Sequence, residues 1–206
     1  MKQGLLNKSD VERFVGSVEA YIDAYSIEFP SLVRSGFAEV ELSPGANHQG
    51  SVPELVATYF PLVRRSLVMS HPALAELTCS LESLIPHLVW YKRPSNGEDS
   101  QFDESHFNAM IIGPSGAATV GDIMVGVSVM APHTNYPTHS HKPAELYVVL
   151  SSGEWWQEER GWWEPGIGRF VHNRSGERHA MRSGDGPHLS IWLLFGQQDF
   201  VPGQGS

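Results

Sequence analysis

The chain has 206 residues, and 14 Lys+Arg against 23 Asp+Glu give a formal net charge of −9, which excludes the basic footprint of a nucleic-acid or anionic-membrane binder. At 41% hydrophobic it can bury a real core, so extensive disorder is excluded as well. A single cysteine, Cys79, excludes an intramolecular disulfide framework and any thiolate metal cluster, and the search for chemistry turns to the ten histidines.

The first ten residues lack a signal-peptide run, and nowhere do roughly 18 apolar residues stand in succession, so the expectation is a soluble, cytoplasmic chain. Residues 1–93 read as a helical segment. Val11, Phe14, Val15, Val18, Ile22 and Tyr25 recur at helical steps behind a capping-box pair, Ser9 and Glu12. A second such pair, Ser51 and Glu54, opens a segment carrying Leu55, Tyr59, Leu62 and Val63, which Pro61 is expected to end or kink. A third helix starts at Pro72, with Leu74, Leu77, Leu81, Leu84 and Leu88 on one stripe. This half is expected to pack on the C-terminal half, to supply no metal ligand, and to offer a lid or homodimer contact.

Residues 94–106 are polar and rich in turn formers, which predicts a linker or surface loop. From 107 to 201 the helical period gives way to short apolar runs at 109–112, 123–130, 146–150, 169–172 and 189–195, broken by Gly and Pro. That is the pattern of an antiparallel barrel or jelly roll.

The chemistry concentrates between Tyr136 and Leu150. On a strand, His139, His141, Glu145, Tyr147 and Val149 share one face, and Leu146, Val148 and Leu150 the other, with Pro143 free to break register between His141 and Glu145. Imidazoles and a carboxylate converging inside a barrel are costly to bury unless a divalent cation pairs with them.

These residues resemble the cupin superfamily. Its first motif, Gly-x5-His-x-His-x3,4-Glu-x6-Gly, matches His139, His141 and Glu145, with Gly153 one residue late and His133 at the opening glycine. Its second, Gly-x5-Pro-x-Gly-x2-His-x3-Asn, matches Gly168, Gly176 and His179, with Arg174 for the Pro and Ser183 for the Asn. The resemblance implies a mainly β fold, a C-terminal cupin barrel (double-stranded β-helix or jelly roll) behind an N-terminal α-helical segment. It also implies His179 as a fourth ligand to one divalent transition metal. Such a donor set suits Fe(II), Mn, Zn, Co or Ni alike.

The same stretch is similar to the bacterial cupin-type dimethylsulfoniopropionate (DMSP) lyases, which carry His-x-His-x3-Glu-x-Tyr, a tyrosine shortly before it, and a last His 32 residues after the motif's Tyr. Here His139, His141, Glu145, Tyr147, Tyr136 and His179 fill those places, and residues 70–91 look like that family's helical stretch. This resemblance implies a lyase that cleaves DMSP, a small zwitterionic sulfonium carboxylate, to dimethyl sulfide and acrylate. Tyr147 would be the base and Tyr136 its helper. Trp155, Trp156, Trp162, Trp163 and Trp192 are candidates to face the sulfonium by cation–π attraction, and His133, His172 and His188 could line the barrel mouth. The rival readings are another metal-dependent cupin enzyme, such as an Fe(II) oxygenase, and a ligand-binding cupin without turnover.

Overall fold

The computed structural model describes residues 5–25, 40–43, 51–95 and 100–195. Residues 96–99 of the expected linker and 196–201 of the expected barrel segment therefore lie outside the described residues.

The helical half begins with α1 (Lys8–Tyr25), then α2 (Glu54–Ser70) and α3 (Pro72–Leu84). Asn7, not Ser9, caps α1: its side-chain oxygen accepts the Asp10 backbone N–H. The second capping pair is not formed either, because Pro53 stands at the N-cap of α2 without a side-chain bond. Pro61 does not end that helix, which runs on to Ser70 with Pro61 exposed on its solvent side. Two short strands, β1 (Glu41–Leu42) and β2 (Trp90–Tyr91), also come from this half. Residues 100–105 form a helical turn, α4 (Ser100–Ser105), rather than open loop, and it buries Phe102.

The remaining strands are β3 (His106–Ile112), β4 (Ala118–Thr119), β5 (Ile123–Met130), β6 (Asn135–His139), β7 (Ala144–Val149), β8 (Glu154–Gln157), β9 (Gly161–Trp163), β10 (Phe170–Asn173), β11 (His179–Arg182) and β12 (His188–Phe195). They form two sheets. The larger runs β1-β4-β3-β5-β12-β7-β10, with β2 also on β3; the smaller runs β6-β11-β8-β9. The sheets do not close into one hydrogen-bonded barrel. They form the mainly β, cupin-type double-stranded β-helix with an N-terminal helical segment.

Parity along the large sheet explains its two cores. Val125, Val127 and Val129 of β5, Leu146 and Val148 of β7, and Leu189, Ile191 and Leu193 of β12 join Phe14, Ile22, Leu74, Leu77 and Leu81 of the helices in one cluster. The alternate residues, Met124, Met130, Tyr147, Val149, Trp192 and Leu194, meet Tyr136, Trp155 and Met181 of the small sheet in a second. A helix-covered face and a sheet-covered face thus share each strand, and each fully buried Leu or Ile contributes about 1.5–3 kcal/mol.

Gly126 is needed between the sheets. A Cβ there would lie 1.9 Å from Cζ2 of Trp192, its cross-strand neighbour. Gly126→Ala is expected to cost about 2–3 kcal/mol by overpacking and to lower the melting midpoint by roughly 5–10 °C. Adding Trp192→Phe, which removes the clashing ring, is expected to recover part of that loss in a thermal denaturation cycle.

Candidate metal centre and its surroundings

The strand register assembles the site from both sheets. His139 on β6 stands directly opposite His179 on β11, and Gln157 on β8 opposite the same His179. Glu145 on β7 stands opposite Asn173 on β10, within the large sheet. His141 sits in the turn between β6 and β7. The inward ring nitrogens of His139, His141 and His179 lie within 4.8 Å of one another. Glu145 reaches two of them, with Oε2 3.3 Å from His141 Nε2 and 3.1 Å from His179 Nε2.

Each imidazole is turned by a backbone carbonyl. Nδ1 of His139 lies 2.9 Å from Pro137 O, that of His141 3.0 Å from Pro143 O, and that of His179 2.9 Å from Glu177 O. An Nδ1–H spent on a carbonyl leaves Nε2 as a lone pair aimed inward, the tautomer a metal takes. His179 Nε2 is buried and finds no hydrogen-bond partner of good geometry, although Glu145 Oε2 lies 3.1 Å away. Lone pairs gathered in a buried space call for a cation. The residues present therefore fit a divalent metal.

In the chain itself, protons supply some of that charge. Burial pushes the Glu145 carboxyl up, but the imidazoles of His141 and His179 beside it outweigh that and hold it well below the carboxylate range. Burial works against charging His141 as well, yet Glu145 leaves it raised. For His139, burial and then the neighbouring His179 depress the imidazole well below its usual value.

Glu145 is further fixed by two residues that motif spacing does not reveal. Asn173 donates to Glu145 Oε2 at 3.1 Å, and Gln157 donates to Asn173 Oδ1 at 3.0 Å and to the His172 carbonyl at 2.7 Å. Both are buried. Only the ladder register, which is a property of the folded sheets, brings them to the carboxylate.

Tyr147 shares the inward face with Glu145 and is 3% exposed. Its ring stands edge-on to Trp155, centroids 6.3 Å apart. The sequence reading favours a phenolate here, but in the chain burial, then the Glu145 charge, raise this phenol well above its ordinary value. Tyr136 is also buried, with its oxygen 3.5 Å from Asn108 Nδ2 and its ring 5.0 Å from that of His139. Asn108 in turn accepts from Ser128 at 2.6 Å.

The other candidates divide. Trp155 and Trp192 face the space between the sheets, whereas Trp162 is 43% exposed beneath the Arg182 guanidinium. His133 is exposed, His172 alternates with the inward Val171 and Asn173 and so has outward parity, and His188 is buried against Trp155, where burial drives it down to about 3. None of these three joins the cluster. The site does include two residues of the helical half that the sequence reading missed, Tyr91 and Arg93. Tyr91 pairs with inward-facing Asn108, and its phenol is raised by burial and by the nearby Tyr136.

The family description for dimethylsulfoniopropionate lyases matches residues 42–190. A protein of Cereibacter sphaeroides named for dimethylsulfoniopropionate lyase activity, DddL, is 33% identical over 90 residues, which are 43% of this chain and 38% of that protein. The chain thus matches well under half the length of this curated relative. Among solved structures, DMSP lyase DddQ from Ruegeria pomeroyi superposes with a TM-score of 0.71 at 18% identity, over 95% of each chain. A chain from the structures of the DMSP lyases RdDddP and RnDddQII gives 0.65 at 18% identity, over 91% of this chain and 93% of that one. Both superpositions establish the fold, helical segment included. With the family pattern spanning most of its length and the cluster folded at the motif positions, the chain belongs to the dimethylsulfoniopropionate lyase family.

Proposed function

We propose that the chain is a metal-dependent carbon–sulfur lyase that cleaves DMSP to dimethyl sulfide and acrylate, with His139, His141, Glu145 and His179 holding one divalent transition ion. Family membership gives the reaction class. The observation that carries the site is the set of three largely buried imidazoles with every Nδ1 anchored to a carbonyl, facing one carboxylate.

The chemical difficulty is the proton next to the substrate carboxylate, whose removal adds charge beside charge. A cation in this cluster would supply the positive charge that stabilises the enolate-like transition state and favours a phenolate. Tyr147 Oη takes the proton. The released electron pair becomes the carbon–carbon double bond, the carbon–sulfur bond breaks, and the sulfur leaves with its electrons as neutral dimethyl sulfide. Acrylate remains, and Tyr147 carries the proton until solvent accepts it. Tyr136, held by Asn108, orients the substrate beside the base. Trp155 and Trp192, with the Tyr147 ring, form the aromatic wall for the sulfonium, each good contact being worth about 0.5–2 kcal/mol.

Anaerobic incubation of the metal-loaded protein with DMSP, with headspace detection of dimethyl sulfide, tests the activity and separates it from oxygenase chemistry. Tyr147→Phe is expected to lower kcat by about 10²–10⁴-fold with metal content unchanged. Near wild-type release by that variant would remove Tyr147 from the role of base.

Metal binding has its own signature. Glu145 raises the His141 pKa, so a proton competes with the ion for the same nitrogen. Affinity is expected to fall about tenfold per pH unit below that pKa, with release of about one proton on binding in that range. Calorimetric titration with Mn²⁺ in buffers of different ionisation enthalpy measures both quantities. Stoichiometry should be lost in His141→Ala and His179→Ala; retention in both folded variants would place the ion elsewhere.

A further inference from the structure

Arg93 is half-buried, and among the described residues no carboxylate lies within ion-pair distance of its guanidinium. The contrast with the other arginines is informative. Arg13, Arg64, Arg174, Arg178 and Arg182 each pair with a glutamate, and Arg65 and Arg169 are exposed to water. A guanidinium even partly withdrawn from water without an anion carries a cost, so its position needs a reason.

Its neighbourhood supplies one. Arg93 lies two residues beyond Tyr91, the end of β2, which pairs with the buried Asn108. The guanidinium stands beside the Tyr136 phenol and favours its ionised form, and its charge also acts on Tyr91, His139, His141 and Tyr147. Its place beside Tyr136 leaves most of its five donors for a ligand. The backbone beneath it is held as well. The Arg93 N–H donates to His106 Nε2 at 2.9 Å, His106 Nδ1 lies 2.6 Å from the Phe102 carbonyl, and the Phe102 ring stacks on the imidazole at 3.8 Å. The helical turn 100–105 therefore clamps Arg93 against the site through His106, and a clamped cation binds an anion without first ordering itself.

We infer that Arg93 is the residue that receives and orients the substrate carboxylate, through a forked pair of N–H···O bonds beside Tyr136. The inference rests on the lyase reading for the identity of the substrate. A planar guanidinium matches both oxygens of a carboxylate at once, which a point charge cannot do. Its positive charge also repels the onium end of the same molecule. The sulfonium then lies toward the aromatic wall of Trp155 and Trp192, and the carbon bearing the acidic proton is left between the two ends. Arg93 is thus a specificity residue that selects substrates with an anionic end.

The test uses the metal-loaded full chain and two ligands of matched shape, acrylate and neutral acrylamide. Wild type is expected to bind acrylate at least about tenfold more tightly than acrylamide, and Arg93→Gln to reduce that preference by about 10–100-fold while acrylamide affinity, metal content and melting midpoint stay put. Arg93→Lys keeps the charge without the fork and is expected to fall between, with KM for DMSP raised more than kcat is lowered; it also serves where Arg93→Gln folds poorly. An undiminished acrylate preference in either folded variant overturns the assignment, even if wild type makes dimethyl sulfide. An Arg93-dependent preference in a protein that releases none would overturn the lyase reading and leave the carboxylate anchor standing.

Discussion

Strand β7 has to satisfy two environments on alternate residues, and the rest of the molecule is arranged around that demand. Leu146 and Val148 enter the apolar cluster beneath the helices, while Glu145 and Tyr147 point between the sheets. A slip of one residue would place a carboxylate under the helices and two aliphatic side chains among the histidines. The pairing on both flanks prevents this, with β12 matching Tyr147 to Trp192 and β10 matching Glu145 to Asn173. Helices, which contribute no ring nitrogen to the cluster, fix the chemistry indirectly by making one face of the strand unambiguously oily.

Burying Glu145 requires compensation, and the structure provides it in a layered way. The imidazoles of His141 and His179 stand against it, Asn173 gives a hydrogen bond, and Gln157 holds the asparagine. Each partner comes from a different strand or turn. The carboxylate is thus one place where the two sheets are tied together by polar contacts, in a region joined also by Met110, Met124, Met181 and Trp155.

Much of this was legible in the amino-acid order, because the informative signals were local. Alternation along 145–150 is a property of one strand, and the motif spacing from His139 to His179 identified the three imidazoles that meet. What was not legible depends on pairing between distant segments. Tyr91 and Arg93 reach the site because β2 adds to β3, and two residues of strand carry no readable period. The polar stretch 94–106 reads as a loop, yet Phe102 within it is buried against His106 and Tyr136. Of the two outcomes expected at Pro61, an end or a kink, the helix end does not occur, for a related reason: the cost of a missing N–H is local, whereas Phe60, Val63 and Leu67 gain their burial from tertiary packing. The glycine that the cupin motif calls for at 133 is a histidine, and it keeps the glycine-like backbone, with φ of 58°. Ser183, at the motif's asparagine, ties Ala131 and Thr134 together through its hydroxyl.

The carbonyls that aim the imidazoles belong to Pro137, Pro143 and Glu177. Many buried histidines are set by a neighbouring carboxylate side chain, which a single substitution can delete. Here the acceptors are main-chain atoms, present whatever residue occupies the position, and in two cases they sit on a ring that restricts the backbone torsion. The protonation pattern of the donor set is therefore inherited with the path of the chain and not with the identity of a second set of side chains. Drift in the surrounding sequence can alter how tightly the turns are packed, but it has no side chain to remove that would flip a tautomer.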